Sequence, residues 1–168
     1  MLSFLLACTG TPPDDPVEKP ATTDDRPVLD DISRLNATPV SAVVTPTTEA
    51  EIVAAIGRAR SEGRGVSISG VRHSQGAHTF GEDNLVIDMT AYNKVLDISA
   101  EAKTIRVQAG ASWNDIQEAI NPHGLAVLTM QSSNIFTVGG SISANIHGRD
   151  PAASVIIDTV QSLSLIHI

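Results

Sequence analysis

Gly65-Val66-Ser67-Ile68-Ser69-Gly70-Val71-Arg72-His73-Ser74-Gln75-Gly76-Ala77-His78 is the stretch on which the reading of this chain turns. Residues 65–69 alternate apolar and small polar side chains and predict a strand. The strand runs into a loop of glycines, small residues and one cation. Loops of this make turn successive backbone N–H groups toward an anion, and glycine lets the backbone come close and take positive φ. No Gly-Lys-Ser/Thr follows, so the loop is not a Walker A. It is not Gly-x-Gly-x-x-Gly either, and no helical pattern opens behind it. A plain surface turn is the competing reading of these residues taken alone.

Outward from this loop the pattern alternates in type. Residues 39–44 predict a strand ending at Pro46. Thr48-Glu49-Ala50-Glu51 is a capping box, and Ile52, Val53, Ile56 and Ala59 make one helical stripe closed by Gly63. Residues 85–89, 95–98 and 104–107 predict short strands separated by polar turns. Ser112 caps a helix through about residue 120, which Pro122-His123-Gly124 closes. Residues 155–157 and 160–168 are apolar and strand-like. No internal repeat is present, and the order is that of an α+β domain rather than a doubly wound sheet.

Two further segments carry chemistry. In Val107-Gln108-Ala109-Gly110-Ala111-Ser112-Trp113 a strand runs into a capped helix, and Trp113, the one tryptophan, is expected to anchor the core rather than touch a ligand. In Thr137-Val138-Gly139-Gly140-Ser141-Ile142-Ser143-Ala144-Asn145-Ile146-His147-Gly148-Arg149, paired glycines and small residues mean that something approaches the backbone closely. Gly110, Gly139, Gly140 and Gly148 together point to a bound ligand as that neighbour.

The 168 residues are 42% hydrophobic but only 3% aromatic, leaving Val, Ile, Leu and Ala to form the core. A formal charge of −8, without a basic footprint, argues against a nucleic-acid binder. One cysteine excludes an internal disulfide framework and a Cys-rich zinc site, and the five scattered histidines show no metal-ligand spacing. No apolar run reaches the roughly 20 residues needed to span a bilayer. Charge is concentrated at one end: Asp14, Asp15, Glu18, Asp24, Asp25, Asp30 and Asp31 fall among the first 31 residues, with Pro12, Pro13, Pro16, Pro20 and Pro27. Residues 9–35 are therefore expected as an acidic, Pro/Thr-rich linker. Ahead of it, Leu5-Leu6-Ala7-Cys8 resembles the lipobox of bacterial lipoproteins, making residues 1–8 a signal remnant and Cys8 the lipidation candidate. A basic n-region is missing from it, and a frayed terminus with an incidental cysteine is the alternative. The lipobox reading places the protein at the bacterial cell envelope, lipid-anchored.

Gly70-x-x-His73-Ser74, then Val107-x-Ala109-Gly110-x-x-Trp113, then Thr137-Val138-Gly139-Gly140 with Asn145-x-His147-Gly148 follow a known order and spacing. Over about residues 36–165 the chain resembles the FAD-binding domain of the vanillyl-alcohol oxidase / p-cresol methylhydroxylase (PCMH-type) flavoproteins, the FAD-linked oxidase N-terminal region. The Gly-x-x-His-Ser loop is most similar to the sugar-alcohol, aldonolactone and cytokinin oxidase branches. The resemblance implies two α+β subdomains with FAD extended between them. It places Gly70, Val71, Arg72, His73, Ser74 and Gln75 around the pyrophosphate, with Arg72 as an added cation. Residues 139–148, through Gly139, Gly140, Ser141, Asn145, His147 and Gly148, would line the cofactor's other side, and Gly110, Ser132, Thr137 and Val138 complete the binding set. In several branches the histidine matching His73 is bonded to the flavin 8α-methyl carbon, so His73 is the covalent candidate; a histidine that only hydrogen-bonds near the phosphates is the alternative. His78 is a further possible flavin neighbour.

The implied activity is oxidation of an alcohol, sugar or lactone-type C–H donor, a small-molecule substrate, by hydride transfer to flavin. A non-catalytic FAD-binding module and an enolpyruvyl-UDP-N-acetylglucosamine reductase-like enzyme are the alternatives; the lipobox and the Gly-x-x-His-Ser loop count against the second. Residues 36–168 are expected as a C-terminally truncated FAD-binding domain, with the substrate domain and the catalytic base elsewhere.

Overall fold

A computed structural model of the chain describes residues 25–76 and 78–165. Cys8, most of the expected linker, Ala77 and the last three residues lie outside the described residues.

The first lobe is built on a three-stranded parallel sheet. Strand β1 (Val28–Leu29) pairs antiparallel with β2 (Thr38–Pro39), and β3 (Ala42–Val44) enters the sheet proper. Helix α1 (Glu49–Ser61) then crosses to β4 (Val66–Ser69), and β5 (Leu85–Asp88) inserts between β3 and β4, giving the order β3-β5-β4. Local chemistry sets these boundaries. The Thr48 hydroxyl accepts from the Glu51 N–H while the Glu51 carboxylate accepts from the Thr48 N–H, and Gly63 at φ +65° turns the chain past the helix end. Every residue of β5 is buried because both faces of the central strand are covered. Leu85 and Ile87 pack with Ile52, Ala55 and Ala59 of α1. Val86, in the alternate register position, packs on the opposite face with Leu29, Val40 and Phe80. The helical stripe expected from sequence is rotated: Ala55 replaces Val53, which is half exposed. Residues 39–44 do not form one strand; Val40 and Ser41 separate β2 from β3.

The second lobe is an antiparallel hairpin, β6 (Val95–Ser99) and β7 (Thr104–Val107), with helices α2 (Trp113–Ile120) and α3 (Val138–Ser143). Trp113, Ile116, Ile120, Val138 and Ile156 form its core, so Trp113 is the expected anchor. The junction of the lobes is Gly110, whose N–H donates to the Tyr92 carbonyl at 2.8 Å and whose α-carbon sits against the Met89 carbonyl. A methyl group there would collide with backbone, which cannot swing aside as a side chain would.

Three expectations are corrected. Folding begins before residue 36: Leu29 is buried and β1 is paired, so Val28-Leu29 is an apolar foothold inside an otherwise acidic leader. Residues 156–159 form a 3-10 turn (Ile156–Thr159) rather than a strand, with Ile156 turned into the second core, and residues 160–165 pair with no strand among the described residues. Residues 138–143, expected only as backbone that a neighbour approaches closely, form a helix whose signal the paired glycines obscure.

Candidate cofactor site

The 70–76 loop leaves the sheet at the carboxyl end of β4, where Ser69 is in register with Asp88 of β5. Arg72 adopts the left-handed conformation at φ +55°. Its guanidinium Nη2 lies 3.3 Å from Asp88 Oδ2, and Asp88 Oδ1 accepts from the Thr90 N–H at 3.0 Å and its hydroxyl at 2.6 Å. The Arg72 charge is thereby met in part by a carboxylate of the protein, and the side chain still lines the open cleft beside the loop backbone.

The three motifs converge. An added Cβ on Gly70 would strike the Thr137 hydroxyl, and the His73 ring meets Phe136 edge-on with centroids 4.6 Å apart. The first motif thus abuts the third. The third is in turn hydrogen-bonded to the second: Val138 N–H to Ala111 carbonyl at 2.8 Å, Gly139 N–H to Ala109 carbonyl at 2.8 Å, and Trp113 N–H to Phe136 carbonyl at 3.1 Å. Behind this seam the Trp113 indole N–H is shared by Gln131 Oε1 at 2.7 Å and Ser141 Oγ at 3.1 Å, and Ser141 is 1% exposed. Ser141 belongs to the scaffold under the site.

The glycines of the second and third motifs have protein neighbours. Gly110 faces the Met89 and Tyr92 carbonyls, Gly139 the Ala109 carbonyl, Gly140 the Thr137 hydroxyl and Gly148 the Met130 carbonyl. The inference from glycine clustering to a ligand against this backbone is corrected on that point: the close approach exists, and the chain itself makes it. Asn145, at φ +44°, accepts from the Ile157 N–H at 3.4 Å, and His147 Nδ1 lies 2.9 Å from the Gly148 carbonyl. These residues sit beyond α3, where Asn145 bonds to the 3-10 turn at Ile156–Thr159 and His147 to its own neighbour. Ser132, Gln75 and His78 are exposed, whereas His73 and Ser74 are half-buried.

A different feature sets the loop apart. Ser69, 3% exposed, and Thr79 stand at its two stems, and both hydroxyls are buried with no hydrogen-bond partner. Buried polar groups are almost always satisfied, so two orphans bracketing one glycine-bearing loop fit a group rich in acceptor oxygens such as a diphosphate. A third orphan, Ser41, lies between β2 and β3. Sequence reading missed Ser69 and Thr79 because burial of a hydroxyl is set by the fold and not by local composition. It missed equally that residues 30–34 face the loop across an open cleft of about 640 Å³, with Asp30, Ile32 and Arg34 on one wall and Gly70, Arg72 and Asp88 on the other.

A split α+β domain with a glycine loop at a strand end and three converging motifs is the arrangement that the resemblance to FAD-binding domains implies. The FAD binding domain family matches residues 40–167, and the chain belongs to that family, the PCMH-type FAD-linked oxidases, with FAD as cofactor. It is similar to the decaprenylphosphoryl-beta-D-ribose oxidase of Mycolicibacterium smegmatis, at 39% identity over 67% of this chain and 25% of the relative. It is also similar to the L-gulonolactone oxidase of Mus musculus, at 28% identity over 71% of this chain and 27% of the relative. The chain spans about a quarter of the length of these relatives. Among solved structures it shares its fold with an alkyldihydroxyacetonephosphate synthase (TM-score 0.63, 19% identity, covering 73% of this chain and 24% of that one). The cholesterol oxidase from B. sterolicum shares it also (TM-score 0.60, 20% identity, covering 85% of this chain and 27% of that one).

Proposed function

We propose that this chain is the FAD-binding part of a flavoenzyme that oxidises an alcohol, sugar or lactone-type C–H donor. The observation that carries the reading is the seam of Gly70, His73, Phe136 and Thr137, with the orphaned Ser69 and Thr79 hydroxyls at the stems of the loop. In this reading the backbone of residues 70–75 and the two hydroxyls hold the diphosphate, and Gly110, Thr137, Val138, Gly139 and Gly140 form the rigid floor beside it. Bound FAD supplies the hydride acceptor, chemistry that belongs to the cofactor rather than to the protein. The family resemblance marks His73 as the covalent attachment point. Its half-buried ring packs edge-on against Phe136, and an imidazole nitrogen is the nucleophile that such an attachment uses.

The test is the visible spectrum of the purified protein before and after acid precipitation. Flavin absorbance that stays in the pellet, and moves to the supernatant in His73→Ala, is the expected result. Absorbance already in the supernatant for the wild type removes the covalent attachment and keeps the cofactor site. Protein that is colourless and leaves the spectrum and fluorescence of added FAD unchanged overturns the reading.

A further inference from the structure

Residues 26–34 stand ahead of the family-matched region, yet they are built into the wall of the loop. Arg26 Nη1 lies 3.3 Å from Asp83 Oδ1, β1 pairs with β2, and Leu29 enters the core beside Val40, Phe80 and Val86. Past Leu29 the chain folds back on itself. Asp31 Oδ1 accepts from the Ser33 N–H at 2.8 Å, the Arg34 N–H donates to the Asp31 carbonyl at 3.1 Å, and Arg34 takes the left-handed conformation at φ +55°. This tight turn delivers the Ile32 N–H to the Arg72 carbonyl at 3.0 Å.

Arg72 is thereby held at two points. Its carbonyl is bound by the N-terminal segment, and its guanidinium is bound by Asp88 at the end of β5. That double grip matters because a left-handed arginine is disfavoured by its own Cβ and persists only where the surroundings impose it. The other half of the cleft, Asp30, Ile32 and Arg34, belongs to the same segment that makes the hydrogen bond. We infer that residues 26–34 are a brace for the cofactor loop, with the Ile32 N–H bond to the Arg72 carbonyl fixing the turn from which the loop backbone is presented to the diphosphate. Ile32 is then a positioning residue acting through Arg72, and its side chain, half exposed, contributes little. The inference rests on the reading of residues 70–76 as the diphosphate loop.

Ile32→Pro removes the N–H, whereas Ile32→Ala keeps it. Binding of FAD and of ADP, which shares the diphosphate, is measured for both variants and the wild type in the full chain, alongside thermal unfolding. The alanine variant should bind both ligands as the wild type does. The proline variant should bind both about tenfold more weakly, the change that loss of one backbone hydrogen bond supports. A proline variant that binds both ligands normally overturns the brace, as does one that loses FAD affinity and keeps ADP affinity. Hydrogen exchange on the wild type supplies a test that needs no substitution. The Ile32 amide should be protected and gain protection when ADP binds; exchange at the rate of an open amide in the ADP complex overturns the inference. A wild type that binds neither ligand overturns the assignment of the loop itself, and the brace with it.

Discussion

Two glycine-bearing segments of this molecule look alike in sequence and use their glycines for opposite ends. Around Gly110 and Gly139 the missing side chain lets one piece of the chain's own backbone lie on another: Met89 and Tyr92 carbonyls on Gly110, the Ala109 carbonyl on Gly139. Hydrogen bonds cross the same contact, from Gly110 N–H to Tyr92 and from Gly139 N–H to Ala109, each at 2.8 Å. Around Gly70 the neighbour is a side chain, Thr137, and what flanks the loop is a pair of buried hydroxyls with nothing to bond. The first arrangement is complete in the chain alone. The second leaves two buried hydroxyls that no other described group of the chain satisfies. Glycine content therefore does not tell a scaffold from a cradle; the groups that lie against the glycine, and whether their polar atoms are satisfied, separate the two regions.

The largest effect should come from the complete region. Gly110→Ala places a Cβ against the Met89 and Tyr92 backbone carbonyls of the turn after β5, at the junction between the lobes. Overpacking of that kind costs about 3 kcal/mol or more, since neither carbonyl can move without breaking the turn after β5 or the hydrogen bond to Tyr92. Denaturant unfolding of the cofactor-free protein should show that loss directly. If the variant keeps wild-type stability and loses only flavin binding, Gly110 belongs to the cradle and the contrast drawn above fails.

The incomplete region should respond with opposite signs in its two states. Ser69→Ala deletes a buried hydroxyl that has no partner in the free protein, so the cofactor-free variant should be more stable by about 1 kcal/mol. The same deletion should weaken FAD binding about tenfold if the hydroxyl serves the diphosphate. Unfolding midpoints with and without FAD separate the two terms. A variant destabilised in both states makes Ser69 an ordinary member of the fold.

Most of the scaffold is legible in sequence because its signals are local. Thr48 and Glu51 specify one helix start, and Ser112 with Asp115 the other, through reciprocal hydrogen bonds between residues three apart. The loop at residues 70–76 is likewise recognisable from its own composition and from its spacing to the later motifs. What sequence conceals is non-local. The pairing of Val28-Leu29 with Thr38-Pro39 is a two-residue contact embedded in acidic, proline-rich chain, and composition there points to a tether. The partner of Arg72 is Asp88, sixteen residues on, and only the parallel register of β4 on β5 brings them together. Helix α3 is short and carries paired glycines, so its helicity comes from packing of Val138 into the second core rather than from propensity.

The smallest effect concerns charges that belong to neither glycine region. Asp83 is held below its usual pKa, chiefly by a hydrogen bond from Arg64 and further by Arg26; Glu62 is held low chiefly by Arg58; and Arg64 is raised in return by Asp83. The network ties the N-terminal segment to the end of α1 and to the turn before β5. A carboxylate whose folded pKa lies below its unfolded value stabilises above the unfolded value, here 3.8 for Asp83 and 4.5 for Glu62, and loses that contribution as pH falls through the folded value. The arginine contribution is fully present throughout this range, since its pKa, far above it, is raised further by Asp83. All of these groups face solvent, so screening by salt should leave a shallow effect. The melting temperature should therefore decline slightly below about pH 4.5, less at high salt and less again in Asp83→Asn. Flavin affinity between pH 5 and 8 should be the same in that variant as in the wild type, because the network acts on the outer end of the brace, on the far side of β1 from Ile32. A flavin affinity that tracks Asp83 in that range would mean that the ion pairs, rather than the packing of Leu29 and the pairing of β1, are what hold the N-terminal segment against the loop.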